Sequence, residues 1–118
     1  MQSYIPSTTP CELPARLVAL APSVEPRIIA LFGSIADLGR SADRSITVAD
    51  IAVSRRHALV VRADGIYLLQ DAGSTNGTFL NGERLAAPRP LQHGDLIGLG
   101  QDAPHLRFIG PGRASTSW

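Results

Sequence analysis

Gly73-Ser74-Thr75-Asn76-Gly77-Thr78-Phe79-Leu80-Asn81-Gly82-Glu83-Arg84-Leu85 holds two different turns around one short apolar run. Asn81-Gly82 separates residues 78–80 from 83–85. Two residues of Asn-Gly between strand-like runs predict a type I′ hairpin, because both central positions need φ > 0. Ser74-Thr75-Asn76-Gly77 is built differently. It gathers hydroxyls, an amide and a glycine into one loop, the groups that let a backbone approach and hydrogen-bond a ligand.

The same punctuation extends in both directions. Short β-like runs fall at 16–21, 27–31, 35–38, 46–48, 58–62, 66–71, 95–99 and 106–109, each bounded by Gly, Pro, Asn, Asp or Ser. Ala63-Asp64-Gly65 supplies a second hairpin turn. Leu96, Ile97 and Leu99 are expected in the core. With no long amphipathic helix, the pattern predicts an all-β sandwich. Residues 1–15 and 111–118, rich in Ser, Thr and Pro or Gly, are expected to be flexible tails around one domain at 16–110.

Bulk properties narrow the function classes. At 118 residues and 44 % apolar the chain has the length and composition of one globular domain with one core. A net charge of +1 and 5 % aromatic residues argue against a general nucleic-acid or membrane-surface binder. The single cysteine, Cys11, excludes an internal disulfide. No run is apolar and long enough to span a bilayer, and the first residues lack the pattern of a signal peptide. The expectation is a cytoplasmic protein. His93 and His105 fit no metal spacing with Cys11 and are expected at the surface, and no cofactor or metal is expected.

Four segments remain: Gly39-Arg40, Ser54-Arg55-Arg56-His57, the Ser74–Thr78 loop and Asn81-Gly82. Their order and strand-sized gaps resemble the forkhead-associated (FHA) domain over about residues 16–110. The resemblance implies a sandwich of about eleven mostly antiparallel strands of SMAD/FHA type. It also implies a non-catalytic module that binds phosphothreonine in partner proteins within a Ser/Thr kinase pathway. By that resemblance Arg40 is the main phosphate ligand, which suits a guanidinium fork. Ser54 donates its hydroxyl, Arg55 adds a second contact, and Arg56 lies outside. Thr75 reaches the phosphate, Asn76 pairs with the peptide main chain, and Gly77 lets the backbone turn. Gly39, His57, Asn81 and Gly82 support the site, His57 by holding the serine loop through backbone hydrogen bonds. Some bacterial relatives carry kinase-modified tail threonines, so Thr8 or Thr9 is a candidate regulatory phosphosite. A monomer is expected.

Two other functions fit single features. Ser54 and His57 have the residue types of a nucleophile and its base, which would make a hydrolase. A sheet face or a tail could also serve a phospho-independent interaction domain.

Overall fold

The computed structural model describes residues 12–100 and 104–113. The candidate phosphosites Thr8 and Thr9 lie outside the described residues. Fourteen strands and no helix occur among the described residues, in the order β1 (Glu12–Leu13), β2 (Arg16–Ala19), β3 (Val24–Glu25), β4 (Ile28–Ala30), β5 (Ile35–Gly39), β6 (Ile46–Val48) and β7 (Ala58–Ala63), then β8 (Ile66–Asp71), β9 (Thr78–Leu80), β10 (Glu83–Arg84), β11 (Arg89–Pro90), β12 (Leu96–Leu99), β13 (Leu106–Ile109) and β14 (Gly112–Arg113).

Two six-stranded sheets result, ordered β10-β9-β12-β13-β2-β4 and β11-β8-β7-β5-β6-β3, with β1 and β14 as a separate two-stranded ladder. Pairing is antiparallel except between β5 and β6, where Leu38 lies opposite Ile46. The sandwich forms because the strands alternate. Ala36 and Leu38, Ile46 and Val48, Ala58 and Val60, Tyr67 and Leu69 point inward from one sheet, and Leu17, Leu80, Ile97, Leu99, Leu106 and Phe108 answer from the other. Tyr67 of β8 meets Phe108 of β13 across the gap, with ring centroids 5.4 Å apart and tilted by 52°.

The two hairpins turn as their sequences dictate. Asn81 and Gly82 have φ of 52° and 86°, and Leu80 pairs directly with Glu83. Asp64-Gly65 joins β7 to β8 in the same conformation.

Several boundaries differ from the sequence expectation. Two residues at the inner end of each expected tail pair as β1 and β14. Strands β3 and β11 were not anticipated either. Two-residue strands hold no period for a pattern to reveal, and their existence depends on the neighbour they pair with. Leu96 is half-buried, at the rim of the core. His105, expected at the surface, is 3 % exposed. Its ring sits under the loop after β6 because its Nδ1 accepts from the Leu99 N–H at 3.1 Å.

The topology gathers the functional segments at one end. Strand β5 ends there at Gly39, β7 begins there, β8 ends at Asp71, β9 begins at Thr78 and β12 ends at Leu99. Gly39 is what lets the loop before β7 lie against β5. A Cβ on Gly39 would stand 2.1 Å from the Arg55 carbonyl oxygen and 2.8 Å from its carbon, both backbone atoms, so that the loop itself would have to shift.

Two substitutions should separate core from loop. Phe108→Ala removes a side chain that is 1 % exposed, and should cost about 3–5 kcal/mol in chemical denaturation. Gly39→Ala should destabilise the fold less and yet shift the amide resonances of residues 52–57. An unperturbed loop in that variant would refute the close-packing account.

Candidate functional site

Arg40 follows β5 at this end. Its backbone N–H donates to the Ser54 carbonyl at 2.9 Å and its Nε to the Val53 carbonyl at 2.9 Å. The side chain is therefore fixed at its root. Its terminal Nη groups have no partner among the described residues, and the residue is exposed.

Ser54 sits beneath it, half-buried. Its carbonyl accepts from Arg40, its N–H donates to His57 Nδ1 at 3.0 Å, and its Oγ accepts from the Thr75 N–H at 3.1 Å. The hydroxyl proton remains available. Arg55 and Arg56 are exposed, and neither side chain has a partner among the described residues.

His57 joins this loop to the next. While Nδ1 accepts from Ser54, Nε2 donates to the Gly77 carbonyl at 2.7 Å. Only the neutral Nε2–H tautomer does both. The ring is fully buried. Burial holds its pKa below the ordinary histidine value, against the opposing pull of the Gly77 hydrogen bond and the Asp71 charge. Neither ring nitrogen reaches the Ser54 hydroxyl, so the pair is not arranged as nucleophile and base.

The recognition loop, residues 72–77, is organised by Asp71. This carboxylate accepts from the Gly73 and Ser74 N–H groups at 2.9 and 3.0 Å, from the Ser74 hydroxyl, and from the Thr78 hydroxyl at 2.7 Å. Burial would raise its pKa, but the Ser74 and Thr78 hydroxyls and the backbone donors outweigh it and the pKa falls. Ser74 Oγ in turn accepts from the Gly77 N–H at 2.9 Å. Thr75 and Asn76 are thereby held at the exposed tip. Asn76 Nδ2 donates to the Ala52 carbonyl at 2.9 Å, which cross-links the loop to the serine segment and leaves the amide oxygen without a partner among the described residues.

Arg40, Ser54, Thr75, Asn76, Gly77 and His57 thus converge. Asn81 and Gly82 do not. Asn81 donates to Asp95 at 3.1 Å and accepts from the Leu96 N–H at 2.9 Å, tying the hairpin to β12 at the other end of β9.

Three supporting groups escaped the sequence reading. Asp71 had a local signal, since Asp followed by Ala-Gly-Ser at a strand end is an Asx-turn pattern. Asp50 had a similar one. Its Oδ1 accepts from the Ala52 N–H at 3.0 Å and its Oδ2 from His105 Nε2 at 3.2 Å. Those two bonds lower its pKa against a weaker desolvation. His105 had none, because its partners lie 55 and 6 residues away. No cluster of side chains suited to a metal ion occurs among the described residues, and no helix there is long and apolar enough to cross a membrane.

Comparison with known proteins gives this arrangement a family. The FHA domain family model matches residues 37–100, the span from β5 to the end of β12. An oxoglutarate dehydrogenase inhibitor of Corynebacterium diphtheriae is 41 % identical over 66 residues, covering 53 % of this chain and 43 % of that protein. The chain spans less than half the length of the curated relatives it matches. Among solved structures, Mycobacterium tuberculosis EmbR in complex with a low-affinity phosphopeptide superimposes with a TM-score of 0.73 at 27 % identity, covering 90 % of this chain and 26 % of EmbR. A structure from a study of phosphothreonine-dependent FHA domain interactions gives 0.66 at 30 % identity, covering 80 % of this chain and 92 % of its own. The matched segment includes every residue from Arg40 to Gly77 that converges at the loop end, and the chain belongs to the FHA domain family.

Proposed function

We propose that this protein is a non-catalytic adaptor that binds phosphothreonine in a partner protein, in the cytoplasm, as a monomer, downstream of a Ser/Thr protein kinase. One observation carries the reading. Arg40, anchored by its Nε, presents unpartnered Nη groups beside a Ser54 hydroxyl whose oxygen is already held by the Thr75 N–H. The segments that carry Arg40, Ser54 and Thr75 are therefore pinned to one another before any ligand arrives. The EmbR phosphopeptide complex and the phosphothreonine-dependent interactions of the second related structure support the same reading.

The roles follow from chemistry. Arg40 takes two phosphate oxygens with its planar fork. Ser54 donates its hydroxyl to a third, and Thr75 closes the cradle with its own hydroxyl. Arg55, exposed beside Ser54, adds charge at the rim. Asn76 has an unpartnered amide oxygen to accept from the peptide main chain. Because its NH2 group is engaged with Ala52, it positions the peptide and the loops at once. Gly77 and Gly39 keep backbone where a side chain would intrude.

A phospho-independent contact is favoured by a separate observation. Ile35, Val61, Leu68 and Pro90 stand in register across β5, β7, β8 and β11, and Ile35 is 61 % exposed on the outward face. A partner retained after phosphatase treatment, and released by Ile35→Glu but not by Arg40→Ala, would establish that second use.

Arg40→Ala should weaken binding of a phosphothreonine peptide by at least about 1.5–3 kcal/mol, the scale of hydrogen bonds to charged groups, while the chain stays folded with a melting temperature lowered only by the lost bond to the Val53 carbonyl. Calorimetric titration beside the phosphoserine and unphosphorylated peptides measures it, and retained affinity would refute the assignment. Affinity should also fall as pH drops through about 6, where the phosphate loses its second charge.

The scaffold has its own pH dependence. His57 has a folded pKa below its unfolded value of about 6.5. Between the two values the unfolded chain binds more protons, so stability rises with pH in that window. The contribution of His57 is complete above about 6.5 and declines as pH falls through the folded pKa. His57→Gln should flatten that slope in denaturant titrations between pH 7.5 and 5.5. An unchanged slope would remove His57 as its source.

A further inference from the structure

All eleven basic residues of the chain are arginine, and away from the site most are engaged. Arg16 and Arg27 donate to backbone carbonyls, Arg44 and Arg89 pair with carboxylates, and the Arg62 guanidinium lies 5.8 Å from the centre of the Tyr67 ring. Arg107, exposed on β13, is an exception. At the loop end the balance reverses. The carboxylates of Asp50 and Asp71 are occupied by hydrogen bonds, Asp50 from the Ala52 N–H and His105, and Asp71 from the Gly73 N–H and the Thr78 hydroxyl. Arg55, Arg56 and Arg84 are exposed, and none has a partner among the described residues.

Arg84 is placed most tellingly. It comes from β10, in the sheet opposite to the one that carries Arg40. Its guanidinium rests on Gly77: a Cβ there would stand 2.5 Å from Arg84 Nε and 2.8 Å from Cζ. Gly77 is two residues beyond Thr75, whose N–H marks the Ser54 corner. Two residues of chain span at most about 7 Å. A second cationic fork therefore lies against Gly77, one side-chain contact beyond the two residues that separate Gly77 from the Ser54 corner, with Asn76 between them in the chain. An extended peptide paired with Asn76 would pass from one to the other.

We propose that Arg84 forms a second anion subsite, which takes a carboxylate or a second phosphate on the same peptide, on the Gly77 side of the phosphothreonine. This rests on the phosphothreonine reading of the primary site. The chemistry is charge-assisted and bidentate, which suits arginine and not lysine. The contact lies at a solvent-exposed rim, so its contribution is moderate and sensitive to salt.

The test is a set of phosphothreonine peptides with alanine flanks, in which one flanking position at a time carries glutamate or phosphoserine. Each is titrated against the full chain, wild type and Arg84→Gln, with Arg84→Lys as the charge-retaining control. Thermal melts check that each variant is folded. At one position on one side, the wild type should bind the anionic peptide about threefold to tenfold more tightly than the alanine-flanked one. Arg84→Gln should abolish that preference and leave the alanine-flanked peptide within about twofold, and Arg84→Lys should keep part of it. Preference for glutamate, for phosphoserine or for both identifies the anion. No preference at any position overturns the proposal. So does a folded Arg84→Gln variant that weakens all peptides alike, which would make the residue a support for Gly77 only. If the alanine-flanked phosphopeptide binds no better than its unphosphorylated twin, the primary reading fails, and the second subsite falls with it.

Discussion

The carbonyl of Gly77 is the point on which the loop end depends. It accepts from His57 Nε2 at 2.7 Å and from the Gly100 N–H at 2.8 Å. The first donor belongs to the loop that enters β7 and the second follows β12, so one oxygen joins elements of both sheets. Through the other ring nitrogen of His57 the link continues to the Ser54 N–H. The distance between the serine loop and the recognition loop is thus set by the width of one imidazole. A histidine serves because it offers an acceptor and a donor on opposite edges of a rigid ring. An amide could imitate the pattern only with a more flexible stem.

Anion binding usually argues against nearby carboxylates, yet Asp50 and Asp71 lie in the two loops of the site. Their charges are directed inward. Asp71 accepts from N–H and hydroxyl donors, and Asp50 from the Ala52 N–H and from His105, which lowers both pKa values. His105 adds the same logic one layer below. It bridges Asp50 to the Leu99 N–H, so the first loop is bolted to the core strand β12.

The sequence revealed most where the chemistry is local. Strand alternation, the two hairpins and the Ser-Thr-Asn-Gly loop are written in neighbours a few residues apart, and the order of the motifs pointed to the family. What stayed hidden depends on distant partners. The burial of His105 needs β12 and β13 to be adjacent. The contact between Arg84 and Gly77 needs the Asn81-Gly82 hairpin to fold back over the recognition loop, although the two residues are only seven apart. Asn81 and Gly82 form the hairpin that their sequence predicts, and the hydrogen bonds of Asn81 tie it to Asp95 and Leu96. The β1–β14 ladder joins the two ends of the described chain and has no local signature.

The double acceptance at Gly77 also sets how the loop end moves. Loops usually open on their own, well below the free energy of global unfolding. Here the serine loop cannot lift without breaking the His57 bridge, and the recognition loop cannot lift without leaving β12. The amide protons of Ser54 and Gly100 are donors to His57 Nδ1 and to Gly77 O, bonds that tie both loops to the β-sandwich. They should exchange with solvent deuterium on the timescale of the core strands, not of a surface loop. A ligand bound at such an end would meet loops that are already ordered, and little ordering entropy would be left for its arrival to remove.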